Sequence, residues 1–91
     1  MEIDHWPNTY KGKKVLITGH TGFKGAWLSI WLHLLGADVV GIALEPRSEK
    51  DVFVLSGIGK RIRDYRVDIR DLDKVYEVVE NEKPEILFHL A

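Results

Sequence analysis

The chain has 91 residues, enough for one small domain with a modest core. Hydrophobic residues make up 45% and charged residues 30%, a globular balance that excludes disordered and fibrous classes. A formal net charge of -1 gives no electrostatic case for nucleic acid or an anionic membrane, and the absence of cysteine excludes disulfides and thiolate chemistry.

Residues 1–12 hold Pro7, Asn8, Thr9 and Gly12 and read as an irregular lead-in. Glu2 and Asp4 stand where a secretory leader would be basic, so the cytoplasm is the expected location. Val15-Leu16-Ile17 is a continuous apolar run, the mark of a strand covered on both faces. Thr-Gly-His-Thr-Gly-Phe-Lys-Gly follows over residues 18–25, and residues 23–35 predict a helix closed by Gly36. Ser29 and His33 interrupt its apolar character, and it is far shorter than the roughly 20 residues that span a bilayer.

Residues 37–44 predict a second buried strand, broken by Glu45-Pro46. A short helix is expected over 49–56, ended by Gly57-Ile58-Gly59, and a weaker strand over 62–67. Asp71 suits the N-cap of a helix whose Leu72, Val75, Tyr76 and Val79 share one face. Lys83-Pro84 stops that helix, and residues 86–90 form a fourth apolar strand. The alternation predicts an α/β fold: residues 13–91 as the first half of a doubly wound parallel sheet, strand order 3-2-1-4. That order leaves residues 86–90 as an apolar edge, and Trp27, Leu28, Ile30, Trp31, Leu32, Leu34 and Leu35 give the first helix more apolar surface than one sheet face covers. A homo-oligomer is therefore expected.

The glycine turn carries the chemistry. Gly19 permits a tight turn out of the strand, Gly22 lets a diphosphate approach the backbone, and Gly25 lets helix and strand pack closely. The helix start adds unpaired amide groups and the positive end of its dipole. The spacing is G-x-x-G-x-x-G rather than the commoner G-x-G-x-x-G. Lys24 precedes Gly25 and Ala26 follows it, so no Gly-Lys-Ser/Thr closes the turn and nucleoside-triphosphate hydrolysis is not the reading. Glu45, at the end of the second strand, would accept hydrogen bonds from ribose hydroxyls and repel a 2′-phosphate, which favours NAD. Arg47 would attract that phosphate, so NADP stays the alternative.

His20 is expected beside the ligand as a loop residue, and His89 as a structural histidine. No histidine spacing suits a metal. Lys60, Arg61, Arg63, Arg66 and Arg70 are interleaved with Asp64, Asp68 and Asp71, the pattern of a solvated face rather than a nucleic-acid patch.

Residues 11–25, KGKKVLITGHTGFKG, resemble the extended short-chain dehydrogenase/reductase family, and the form His-Thr-Gly-Phe-Lys-Gly is similar to its CDP-glucose 4,6-dehydratase branch. Residues 40–46, 68–71 and 84–91 agree with the same family. The resemblance implies a Rossmann-type NAD-binding domain in which Gly19, Thr21, Gly22, Phe23, Lys24 and Gly25 surround the diphosphate, and Glu45 and Arg47 stand at the adenosine ribose. It further implies that Asp68 accepts from the adenine amine, Ile69 packs on its ring, and Leu90 and Ala91 line the path to the nicotinamide ribose. The implied activity is a lyase of deoxysugar synthesis that converts CDP-glucose to CDP-4-dehydro-6-deoxyglucose. The family's catalytic Tyr-x-x-x-Lys has one formal match, Tyr10 to Lys14, ahead of the first strand. No catalytic residue is assigned, and the chain alone is expected to be inactive. A stand-alone dinucleotide-binding or regulatory module and another extended short-chain epimerase or dehydratase are the alternatives.

Overall fold

Val15 and Ile17 are 0% exposed, at the centre of a sheet covered on both sides. The computed structural model describes residues 10–46, 48 and 51–91. Its elements are β1 (Lys14–Thr18), α1 (Phe23–Leu34), β2 (Asp38–Ala43), α2 (Val52–Ser56), a 3-10 turn (Ile58–Lys60), β3 (Arg63–Arg66), α3 (Leu72–Glu82) and β4 (Ile86–His89). The four strands run parallel in the order β3-β2-β1-β4, with Val15 opposite both Val39 and Ile86. The expected order 3-2-1-4 is therefore the observed one. The short helix expected over 49–56 is described only from Val52, because 49 and 50 lie outside the described residues.

Alternate residues of each central strand face opposite layers. Val15, Ile17 and Val39 pack with Leu32 and Leu28 of α1, while Leu16, Val40 and Ile42 pack with Val75, Val78 and Val79 of α3. That two-sided burial explains why β1 and β2 read as unbroken apolar runs. Gly36 ends α1 at φ +87, where its N–H bonds the His33 carbonyl and the Ala37 N–H reaches back to the Leu32 carbonyl. This paired C-terminal bonding satisfies carbonyls that the helix leaves open.

Asp71 caps α3 as expected, accepting from the Lys74 amide at 3.4 Å. The buried face of α3 differs from the expected one. Leu72 and Tyr76 are 74% and 65% exposed, and the inward stripe is Val75, Val78, Val79 and Glu82. Glu82 takes the last place because three donors meet it there: Lys14 Nζ at 3.2 Å, Arg63 Nη1 at 2.7 Å and Tyr65 Oη at 2.6 Å. Burial pushes the Glu82 carboxyl up, but the Tyr65, Lys14 and Arg63 contacts outweigh it and hold it below its ordinary value. Lys14 and Arg63 open β1 and β3, so this carboxylate ties together the amino ends of the sheet.

Candidate functional site

The opposite, carboxyl ends of all four strands open into one cleft of about 830 Å³. Gly19, Thr21, Gly22 and Phe23 follow β1, Ala43 ends β2 and Leu44 to Pro46 follow it, Val67, Asp68 and Ile69 follow β3, and Leu90 and Ala91 follow β4. The chain departs from β1 toward β2 on one side and returns to β4 on the other, so the cleft lies at the point where strand order reverses. Open parallel sheets hold their ligands at that place.

Each glycine of the turn has a separate physical cause. Gly19 sits at φ +85, and a Cβ there would lie 3.0 Å from the Ala91 nitrogen. Gly25 packs so closely that a Cβ would stand 2.1 Å from the Gly19 carbonyl oxygen. Gly22 is different. Its φ of -77 and ψ of 172 suit any residue, and a Cβ would make only an ordinary 3.5 Å contact. Neither backbone strain nor crowding calls for glycine at 22, and the position lines the cleft. It is also the N-cap of α1, where no side chain caps the helix and no acidic residue occupies the first turn. The helix start thus has room and polarity for an anion brought close to its backbone. These observations fit a dinucleotide diphosphate.

Residues 15–91 match the NAD dependent epimerase/dehydratase family. The chain belongs to that family. It is 43% identical over 84 residues to a CDP-glucose 4,6-dehydratase of Salmonella typhimurium, a match covering 92% of this chain and 23% of the relative. A solved epimerase from Methanothermobacter thermautotrophicus is 32% identical, with TM-score 0.70, across 98% of this chain and 25% of that one. A UDP-glucose-4-epimerase from Stenotrophomonas maltophila, solved with NAD and formylated UDP-arabinopyranose, is 26% identical with TM-score 0.68, across 87% of this chain and 24% of that one. The chain spans about a quarter of the length of these relatives. The sheet order and the glycine turn are those of an extended short-chain dehydrogenase/reductase.

Of the residues that the family resemblance singled out, Gly19, Thr21, Gly22, Phe23, Glu45, Asp68, Ile69, Leu90 and Ala91 line the cleft. Lys24 does not; one residue into α1, it borders an outer apolar groove with Phe23, Trp27 and Trp31. Gly25 faces inward against Gly19. Arg47 lies outside the described residues. Thr21 donates its hydroxyl to the Leu44 carbonyl at 2.9 Å, which braces the turn against the end of β2. Hydrogen bonds from the Arg70 side chain and then its backbone hold the half-buried Asp68 carboxyl at about 2. Tyr10 packs against the core under α1 and Lys14 binds Glu82 at the far end of the sheet, so that formal pair stands away from the cleft. His89 joins Thr18 through a 2.6 Å contact between Nδ1 and Oγ1, a structural histidine as expected. Among the described residues no cluster of side chains could hold a metal ion, and no helix is long and apolar enough to cross a membrane.

His20 corrects its expectation. It lies in the turn after β1 as expected, but its ring is buried at 0% exposure against Gly41, where a Cβ would lie 2.3 Å from the ring. Its Nε2 bonds Asp64 at 2.6 Å, and the edge of Phe53 meets it at 5.3 Å between ring centroids. Nδ1 has no partner of normal hydrogen-bond geometry, although the Ile42 carbonyl stands close enough to favour the charged ring. Burial lowers the imidazole below its ordinary value, and the opposing Asp64 contact does not restore it. The ring is therefore neutral at neutral pH, with the Nε2 hydrogen donated to the carboxylate.

That shift sets a sign for the pH dependence. The folded value lies below the unfolded one, so as pH falls through 6.5 the unfolded chain takes up the proton first and stability declines. The thermal midpoint should fall between about pH 7.5 and pH 5.5. In an NMR titration the His20 ring should change charge below 6.5, and a midpoint at or above that value would contradict the burial argument.

Proposed function

We propose that the chain is the NAD-binding part of a nucleotide-sugar 4,6-dehydratase that acts on CDP-glucose. The observation that carries the reading is Gly22, a glycine that neither strain nor crowding requires, at the N-cap of α1 and lining the cleft. The 43% identity to a CDP-glucose 4,6-dehydratase supports the choice of substrate.

In this reading the amides at the start of α1 hold the diphosphate, with Gly22 giving it access to the backbone. Glu45 accepts from the adenosine ribose hydroxyls, which favours NAD over NADP. Asp68 accepts from the adenine amine while Ile69 lies against the ring, and Leu90 and Ala91 border the nicotinamide ribose. When bound, the nicotinamide supplies the acceptance and return of a hydride. Among the described residues no tyrosine or lysine lines the cleft, so the role we assign to these residues is binding and orientation of the cofactor. A cytoplasmic homo-oligomer engaged in deoxysugar synthesis completes the proposal.

Calorimetric titration of the purified chain tests it. The chain should bind NAD, and CDP-glucose added with NAD should give no product. Gly22→Ala should keep the unfolding free energy within about 1 kcal/mol of the parent while weakening NAD at least about tenfold. A parent chain that binds neither NAD nor NADP, or a Gly22→Ala chain that binds as the parent does, would refute the reading.

A further inference from the structure

Arg66 ends β3 at the side of the cleft where Glu45 stands, and its guanidinium is held in a fixed orientation. Asp64 grips one edge with two bonds, from Nε to Oδ1 and from Nη2 to Oδ2, each 2.9 Å. The Phe53 ring lies against the guanidinium, 5.0 Å from its central carbon to the ring centroid. Asp64 is itself anchored by the buried His20 at 2.6 Å. What remains is Nη1, and it bonds the Glu45 carboxylate. A chain of polar contacts therefore runs from beneath the glycine turn, through Asp64 and Arg66, to the carboxylate at the end of β2.

A solvated strand arginine needs none of this support. A planar fork gripped on one edge presents its other nitrogen in a set direction, which a lysine does not do. Resting on the reading of the cleft as a dinucleotide site, we propose that Arg66 determines which dinucleotide the chain accepts. Paired with Arg66, the Glu45 carboxylate is positioned for a ribose 2′-hydroxyl. The same pairing leaves one cation against two carboxylates, Asp64 and Glu45, so a 2′-phosphate meets net negative charge and is refused. Removing the Glu45 charge frees Nη1 and turns the same guanidinium into a phosphate partner. Discrimination of this kind comes from an arranged repulsion as much as from an attraction.

The test is the ratio of NADP to NAD affinity, measured by calorimetry on the full chain, its Glu45→Gln variant, and that variant carrying Arg66→Gln or Arg66→Lys. The parent should prefer NAD. Glu45→Gln should move the ratio at least about tenfold toward NADP, and Glu45→Gln with Arg66→Gln should lose that gain. Glu45→Gln with Arg66→Lys keeps an ion pair to Asp64 and hence the fold, but cannot bridge Asp64 and the phosphate with a planar fork, so its gain should be smaller. An unchanged ratio in Glu45→Gln, a gain that survives Arg66→Gln, or an equal gain with lysine overturns the role of Arg66 while NAD binding by the parent keeps the cleft reading intact. A parent that binds neither dinucleotide removes both.

Discussion

Gly25→Ala should remove most of the chain's stability. A Cβ at residue 25 meets the Gly19 carbonyl oxygen at 2.1 Å, and the Gly19 carbonyl carbon and the His20 Cα at 2.8 Å each. All three are backbone atoms, so no side-chain rotation relieves the overlap. Alanine within a helix normally gains about 1 kcal/mol over glycine. Ordinary overpacking costs roughly 1–3 kcal/mol, and this contact lies beyond the ordinary because a turn or a helix has to move. The net loss should be about 3 kcal/mol or more, a large share of the roughly 5 kcal/mol at the low end for domains. Urea denaturation followed by circular dichroism measures it, and NAD binding should disappear from the folded remainder. A Gly25→Ala chain with the parent's midpoint would show that the turn and helix are not packed as described.

The second large effect is expected at Gly41, in the middle of β2. A Cβ there would sit 2.3 Å from His20 Cγ, 2.4 Å from Cδ2 and 2.6 Å from Nδ1. The ring has nowhere to go, being fully buried, bonded to Asp64 and met by the edge of Phe53. Gly41→Ala should cost about 2–3 kcal/mol. His20→Ala should also destabilise, by about 3 kcal/mol, through lost packing and an Asp64 carboxylate left without this donor. The two losses should not add. With the ring removed the Gly41 methyl has space, so the double variant should be at least about 1 kcal/mol more stable than the sum of the singles predicts. Strict additivity in the urea midpoints would mean that His20 and Gly41 do not touch.

These two glycines also mark what a reader of the sequence can and cannot recover. Strands β1 and β2 are legible because both of their faces are buried, which leaves uninterrupted apolar runs such as Val15-Leu16-Ile17. The turn is legible because its demands are local: a positive φ at Gly19 and a close approach at Gly25 each call for glycine within a few residues of the contact. His20 is a different matter. Its partner Asp64 lies on β3, far along the chain, and a histidine among turn residues reads as solvated. The available signal was Gly41, an isolated glycine inside a strand, which marks a place where something bulky comes close. The inward face of α3 was misplaced for a related reason. A glutamate reads as exposed, and only donors from β1 and β3 make burial of Glu82 favourable. Tyr76 and Leu72 share the expected spacing with Val75 and Val79 yet face outward. Arg66 was likewise read as part of a solvated basic face, because the fork that Asp64 and Phe53 hold exists only after folding.

Glu82 gathers its donors at the pole of the sheet farthest from the glycine turn. Part of the fold's durability is thereby lodged at the pole opposite the cleft, while Gly25 and the His20–Gly41 contact hold another part beside it. Substitutions at Glu82 should therefore shift the melting temperature while leaving the cleft's lining intact, whereas substitutions around His20 bear on both.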